Sequence, residues 1–248
     1  NHVWQIDASL CVLYYLKPQK GTQNGLHVMA HDEFYKNKPR NLQKVMADRV
    51  WSYEITDHAS GWIYVEYVMG AERGETFCNV LINAMQDRGG ADILHGVPAI
   101  LYMDMGSANT SAKAMNLCKA LGIDARAHAP GNARATGQVE NARNIIERRF
   151  EFGLKFRQVA DLDELNALAK QWRSTFNATE THSRHKQTRT AVWMKITAAQ
   201  LTKAPAVELC RELAVEAPVS RVVSGNLRVS FRSCEWDLSH LPVQVGDS

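Results

Sequence analysis

Two apolar runs, each closed by a carboxylate, set the rhythm of the chain. Val3-Trp4-Gln5-Ile6-Asp7 opens a stretch that stays strand-like to about Leu16, where Lys17-Pro18-Gln19-Lys20-Gly21 breaks it. Proline removes a backbone donor and glycine favours turns, so such clusters punctuate extended structure. Ala99-Ile100-Leu101-Tyr102-Met103 is the second run, ended by Asp104. Between the two, residues 18–48 are polar and irregular, with Lys36-Asn37-Lys38-Pro39-Arg40 as the most basic part. Trp51, Tyr53 and Ile55 then alternate with polar residues, as do Ile63, Val65 and Tyr67, which predicts a β-hairpin over 49–56 and 62–69. Asp57-His58-Ala59-Ser60-Gly61 supplies the turn, and Asp57 reads as a turn residue rather than an acid of a site.

Beyond the hairpin the period changes. Phe77, Val80, Leu81 and Met85 share one face of a helix over 75–88 that Gly89-Gly90 ends. The strand 99–104 leads to a helix from about Ser111 to Leu121, with Gly122 suited to the left-handed position after it, and to a short strand over 123–128. Val139, Ile145, Ile146, Phe150 and Leu154 form the stripe of a helix from Gln138 to about Phe156. Gly131 and Gly137 bracket the stretch before it, which reads as a loop with the backbone freedom to close on a ligand. A further helix covers 162–176, residues 179–189 are polar and basic, and 207–213 are helical. The end turns to β character at 219–223 and 227–232 around Ser224-Gly225-Asn226. The order β-β-β-α-β-α-β-α makes the helix-linked strands parallel. It divides the chain into a core over 1–180, a basic linker over 181–205 and a small β-rich domain over 206–248.

With 45% hydrophobic and 22% charged residues the chain is globular rather than disordered, and 248 residues hold one large domain or two unequal ones. A net charge of +3 permits a polyanionic partner without demanding one. No run of about 18 apolar residues occurs, so no membrane association is expected. The chain starts at Asn1 with no secretory pattern and reads as a fragment of a longer protein. Its five cysteines are scattered without a Cys-x-x-Cys pair, which points to reduced, packed thiols rather than a disulfide framework or structural zinc. His182 and His185 lack a cysteine partner at zinc-finger spacing.

Asp7, Asp104 and Glu140 carry the candidate chemistry. A carboxylate at the edge of an apolar strand must be hydrogen-bonded, paired or metal-bound, because a bare buried charge is too costly. Three of them offer the oxygen ligands that hard divalent cations take. Trp4-Gln5-Ile6-Asp7, Asp104-Met105-Gly106-Ser107-Ala108-Asn109-Thr110-Ser111, and Pro130-Gly131 through Gly137-Gln138-Val139-Glu140 stand in order, with 35 residues between Asp104 and Glu140. Together they resemble the D,D-35-E signature of the retroviral integrase and DDE transposase superfamily, over roughly the first 180 residues. The resemblance implies an α/β fold: an RNase H-like mixed five-stranded sheet flanked by helices, with both aspartates on neighbouring central strands. The tail is similar to the small all-β, barrel-like domain that follows the core in bacteriophage Mu-type transposases. The implied activity is that of a polynucleotidyl transferase, nicking the 3′ ends of a mobile element and joining them to target DNA. Asp7 would bridge two Mg²⁺ (or Mn²⁺) ions, with Asp104 completing one site and Glu140 the other. The implied partners are element-end and target DNA and further copies of the chain assembled on DNA, with room for an ATP-dependent helper protein. The implied setting is the bacterial cytoplasm, at the nucleoid.

The sequence departs from this family in places. Met105 stands where the family has asparagine, the excursion over 18–48 is longer, and Asn144 and Glu147 occupy positions where retroviral integrases have lysines. Candidate DNA contacts are Arg134, Arg143, Arg148 and Lys186. Arg143 lies three residues beyond Glu140 on nearly the same helix face, whereas Arg148 and Arg149 fit a solvated helix face better than a phosphate site. Two other classes accommodate the acids: an RNase H-like nuclease that cuts without joining, and a non-catalytic DNA-binding or assembly module. The Mu-like tail and the lack of a fourth acid at an obvious RNase H position favour recombination.

Overall fold

The computed structural model describes residues 2–16, 25–28, 49–70, 73–104, 111–127, 133–154, 156–157, 159–215, 221–231 and 234–247. They fall in two compact units, residues 1–215 and 216–248. The first unit runs β1 (Val3–Leu16), β2 (Gly25–Val28), β3 (Arg49–Asp57), β4 (Ile63–Met69), α1 (Gly74–Met85), β5 (Ile100–Met103), α2 (Ala112–Ala120), β6 (Asp124–Ala127) and α3 (Ala133–Ile146). After α3 come a π-helical turn (Glu147–Glu151) and one last α turn (Phe152–Leu154). The unit ends with α4 (Leu162–Thr179), α5 (Arg189–Trp193) and α6 (Val207–Leu213). Five strands line up β4-β3-β1-β5-β6, antiparallel on the hairpin side and parallel through β1, β5 and β6. The expected mixed five-stranded sheet is therefore present. β2, taken from a stretch expected to be irregular, adds a sixth strand on the far end of β1. The basic stretch 36–40, the segment after Asp104 to Thr110, and Pro130-Gly131 lie outside the described residues.

Alternation along the strands sends side chains to opposite faces, and here both faces are covered. Trp4, Ile6, Tyr53, Ile55 and Tyr64 pack with Phe77, Leu81 and Met85 of α1 and Leu117 of α2 in one core. Cys11, Val50, Ile63, Val65 and Tyr67 pack with Ala142, Ile146, Phe150, Leu165 and Phe176 in the other. The polar positions of β3 are consequently not solvated: Ser52, Glu54 and Thr56 are all buried. A hairpin read as half-exposed is instead the middle of a three-layer sandwich.

The helix of Glu140 differs from expectation at both ends. It starts at Ala133, so most of the expected closing loop belongs to its first turns. Near its far end the π turn carries Phe150 and Glu151 inward. A π turn admits one extra residue and shifts the facing side chains; here it lets Glu151, fully buried, follow the stripe of Ile146 and Phe150 into the protein.

α4 seals the outer edge of β4. Asn166 accepts from the Tyr67 N–H (2.8 Å) and donates to its carbonyl (2.8 Å). Asn177 does the same for Ile63 (3.0 and 2.8 Å). Between them Arg173 donates to the Val65 carbonyl and to buried Asp92. These side chains stand in for the strand that an edge lacks.

The segment 181–205, expected as a linker, is fastened to the core, and the unit boundary falls after Val215. Three of its basic side chains bond the β3–β4 turn: Arg184 the Ala59 carbonyl (2.7 Å), His185 that of Ser60 (2.9 Å) and Arg189 that of Gly61 (2.9 Å). Gly61 sits at φ +70°, and a Cβ there would meet the His182 ring at 2.7 Å, so both conformation and space require glycine. Further on, Trp193 and Cys210 enter the first core, and Val97 N–H donates to the Thr202 carbonyl (2.8 Å). Asp57 is the turn residue the sequence indicated, accepting from the Ser60 N–H (2.8 Å) and hydroxyl (2.6 Å).

The second unit contains a two-stranded antiparallel sheet, β7 (Arg228–Phe231) with β8 (Cys234–Asp237). The expected turn at 224–227 is present, with Leu227 N–H donating to Ser224 (3.0 Å). β7 pairs forward with β8, however, while Val223 meets Asp247 instead (2.9 Å); residues 219–220 lie outside the described residues. Replacing Asn177 by leucine keeps the volume but strands the Ile63 N–H and C=O in the interior. It should lower unfolding stability by roughly 2–4 kcal/mol, measured by urea denaturation; a smaller loss than 1 kcal/mol would show that the seal adds little.

Candidate active site

Parallel pairing of β1 with β5 runs Val3↔Ile100, Trp4↔Leu101, Gln5↔Tyr102 and Ile6↔Met103. Asp7 and Asp104 are the next residue on each chain, so both stand at the same end of the β1–β5 pair. Asp7 is half-buried within β1, whereas Asp104 emerges into solvent just past β5. Glu140 arrives on α3, whose start is tied to the sheet on either side of it. Val139 N–H donates to the Gln5 side chain (3.2 Å), and the Gln138 amide donates to the Asp57 carbonyl (3.0 Å). The Val139 side chain is buried and Glu140 is exposed.

The Asp7 carboxyl is raised above the usual aspartate range, first by burial and then by the negative charges of Asp104 and Glu140, against the pull of the Ala8 backbone and of Arg143. Asp104 and Glu140 thus both act on Asp7 through their charge. The three acids do not close on one another: among the described residues no group of three or more His, Cys, Asp or Glu stands as a set that holds a metal. The donors are nevertheless all carboxylate oxygens, and a half-buried acid facing two like charges is the setting a hard divalent cation relieves. Asp7, Asp104 and Glu140 fit such an ion in chemistry.

Beneath Asp7 lies a buried polar cluster. Glu54 is the cross-strand partner of Asp7 and is fully buried. Arg143 reaches in from α3 and donates to Glu54 (3.3 Å), Ser52 (2.9 Å), both oxygens of Glu151 (2.5 and 2.8 Å) and the Leu10 carbonyl (3.4 Å). Tyr67 also donates to Glu151 (2.9 Å). Burial pushes the Glu54 carboxyl up to about 8, although Arg143 opposes this. Burial alone would lower Arg143, but Glu151 and then Glu54 outweigh it and hold the guanidinium charged.

Of the expected DNA contacts, Arg143 is therefore corrected. Its guanidinium is turned into the protein and fully committed there, because the helix face it shares with Glu140 borders the buried acids of β3. Arg148 is exposed on the π turn, and Lys186 is exposed in a turn at φ 55°. The side chain of Arg134 lies outside the described residues. Arg149 pairs with Glu180 (3.0 Å). His182 and His185 stack on one another at 4.6 Å, and burial, with Arg189 and His185 nearby, lowers His182 to about 4. Sequence reasoning passed over Gln5, Glu54 and Gln138. The available signals were a glutamine inside an apolar run and an acid in the middle of an alternating strand.

A mixed sheet with acids at matching ends of its central strands, and a third acid on the helix after β6, defines an RNase H-like catalytic domain of the integrase type. The model of the integrase core domain family matches residues 1–133, more than half of the chain, and the chain belongs to that family. No curated protein sequence matches it. In fold it is similar to a chain of the simian T-cell lymphotropic virus intasome solved with the PP2A regulatory subunit B56 gamma, with TM-score 0.55 and 18% identity, covering 83% of this chain and 58% of that one. The BIV integrase catalytic core domain is similar at TM-score 0.50 and 15% identity, with 78% and 94% covered. The chain thus spans 58% of the length of the intasome chain it matches.

Glu54 yields a prediction in pH. A carboxyl raised from 4.5 unfolded to about 8 folded makes the unfolded state the more ionised between those values. Stability contributed by the protonated acid is therefore lost as pH rises through that window. Glu54→Gln, which mimics the protonated form, should gain stability relative to the parent between pH 5 and pH 8, measured by denaturant unfolding at both. A constant difference would contradict the raised value.

Proposed function

We propose that the protein is the catalytic part of a DNA transposase or integrase that nicks element ends to expose 3′-hydroxyls and then joins these ends to target DNA. The observation that carries the reading is the shared charge of the site: Asp104 and Glu140 both raise the Asp7 carboxyl, although 96 residues separate the first two acids. Membership of the integrase core domain family supports it.

In this reading Asp7, Asp104 and Glu140 would hold two Mg²⁺ or Mn²⁺ ions. When bound, such ions activate the attacking oxygen and stabilise the leaving one. The chain's own part is placement. The parallel register fixes Asp7 against Asp104, while Gln5 and Gln138 dock the helix that delivers Glu140. Asp104 and Glu140 are exposed at the mouth of the site, whereas Asp7 is half-buried and constrained by its strand. Arg148 and Lys186 remain as exposed cations for the DNA backbone, and phosphate contacts of this kind position DNA rather than read it. Two DNA ends must be acted on together, so the working form is a multimer on DNA. The β7–β8 sheet after the core supports a parent of the bacteriophage Mu transposase type.

The structure also bears on the cutting-only alternative. A fourth acid does stand beside Asp7, but Glu54 is sealed under the site and bonded to Arg143, not presented with the other three. One assay separates the readings: labelled element-end DNA incubated with the protein and Mn²⁺ or Mg²⁺. Joined products support recombination, cut products alone support a nuclease, and neither supports a non-catalytic module. Glu140→Gln should abolish cutting and joining by at least about 100-fold with an unchanged melting temperature. Activity at the parent rate would remove Glu140 from the site.

A further inference from the structure

Three attachments bracket Glu140, and each reaches the strand pair that carries Asp7. One residue before it, Val139 N–H holds the side chain of Gln5, two positions ahead of Asp7 on β1 (3.2 Å). Three residues after it, Arg143 touches the Leu10 carbonyl, three positions past Asp7 (3.4 Å). The same guanidinium reaches Glu54, the residue directly opposite Asp7 on β3 (3.3 Å). Glu151 and Ser52 fix the remaining side of Arg143. The helix bearing one acid is thus strutted against both neighbours of another.

A stabilising role explains this cluster poorly. Glu54 and Glu151 are both fully buried, and one guanidinium serves the two. Burying two carboxyls and a guanidinium, even with Glu54 protonated, is often no better for stability than an apolar cluster of the same size. An Arg143–Glu151 pair alone would be balanced in charge. The added acid has one geometric effect: it extends the strut from the helix to the residue facing Asp7.

We propose that Glu54 and Arg143 are positioning residues that set the separation of Glu140 from Asp7, and through it the grip of the acid site on divalent cations. The inference rests on the reading of Asp7, Asp104 and Glu140 as the metal-holding set. Glu54→Met removes the strut and leaves Arg143 paired with Glu151. Glu54→Gln keeps an oxygen able to accept from Arg143. Residues that orient metal ligands from behind change affinity by about 10–100-fold when removed.

The test is Mn²⁺ binding by the purified protein without DNA, followed by electron paramagnetic resonance of free Mn²⁺, with thermal unfolding recorded for each variant. Glu54→Met should melt at or above the parent temperature while binding Mn²⁺ about tenfold more weakly or worse. Glu54→Gln should stay within about threefold of the parent. Parent-like binding by Glu54→Met, with binding lost in Asp7→Asn, overturns the positioning role and leaves the site itself standing. Parent-like binding by Asp7→Asn overturns the site and this inference with it. If Glu54→Met does not fold, Arg143→Lys decides: its single ammonium cannot span Glu54, Ser52 and Glu151 together. The same tenfold loss supports the proposal, and parent-like binding overturns it.

Discussion

Asp7 and Asp104 are neighbours because Ile6 and Met103 are. That parallel register is the constraint on which the rest depends, since a slip of one residue would send Asp7 to the opposite face of the sheet and Ile6 into its place. The slip is prevented by burial on both faces. Trp4 and Ile6 belong to the core under α1 and α2, while Gln5 must meet Val139 on the side of α3. Neither set tolerates exchange, so the position of the first acid is determined by residues that never touch a substrate.

Around that fixed pair the protein places charge where a fold would ordinarily avoid it. Charged side chains are rarely buried unless paired, yet Glu54, Glu151 and Arg143 meet in a layer that could have been apolar. Another buried group, Asp92 with Arg173 and Arg88, shows the usual solution, a carboxylate held below its ordinary range by two guanidinium groups that bond it. The contrast separates a network that organises the edge of the sheet from one that sets a second acid beside an already balanced pair directly behind the site.

Much of the core was readable from the chain. Strand runs ending in Asp7 and Asp104, a helix carrying Glu140 and an order of elements with parallel later strands are all governed by local pattern, and β1 and α6 fall at the expected positions. What sequence misjudged depended on the third dimension. Polar alternation in β3 looks the same whether the polar face meets water or α3, so nothing local singled out Glu54. Arg143 sits one helical turn from Glu140, and nothing local says whether that face borders DNA or buried acids. The cations over 181–205 looked like solvated linker because their partners are backbone carbonyls of the β3–β4 turn, more than a hundred residues away. Carbonyl acceptors leave no mark on composition.

The side chains along the rim of β4 have a wider effect on how the molecule meets others of its kind. Because Asn166, Arg173 and Asn177 already occupy the outward hydrogen-bonding groups there, no foreign polypeptide can zip onto that flank as an extra ribbon. Contacts with other chains are left to helical surfaces, loops or the far side of the sheet, and crowded chains lose one common route to fibrous aggregation. A substitution meant only to tidy α4 would reopen it.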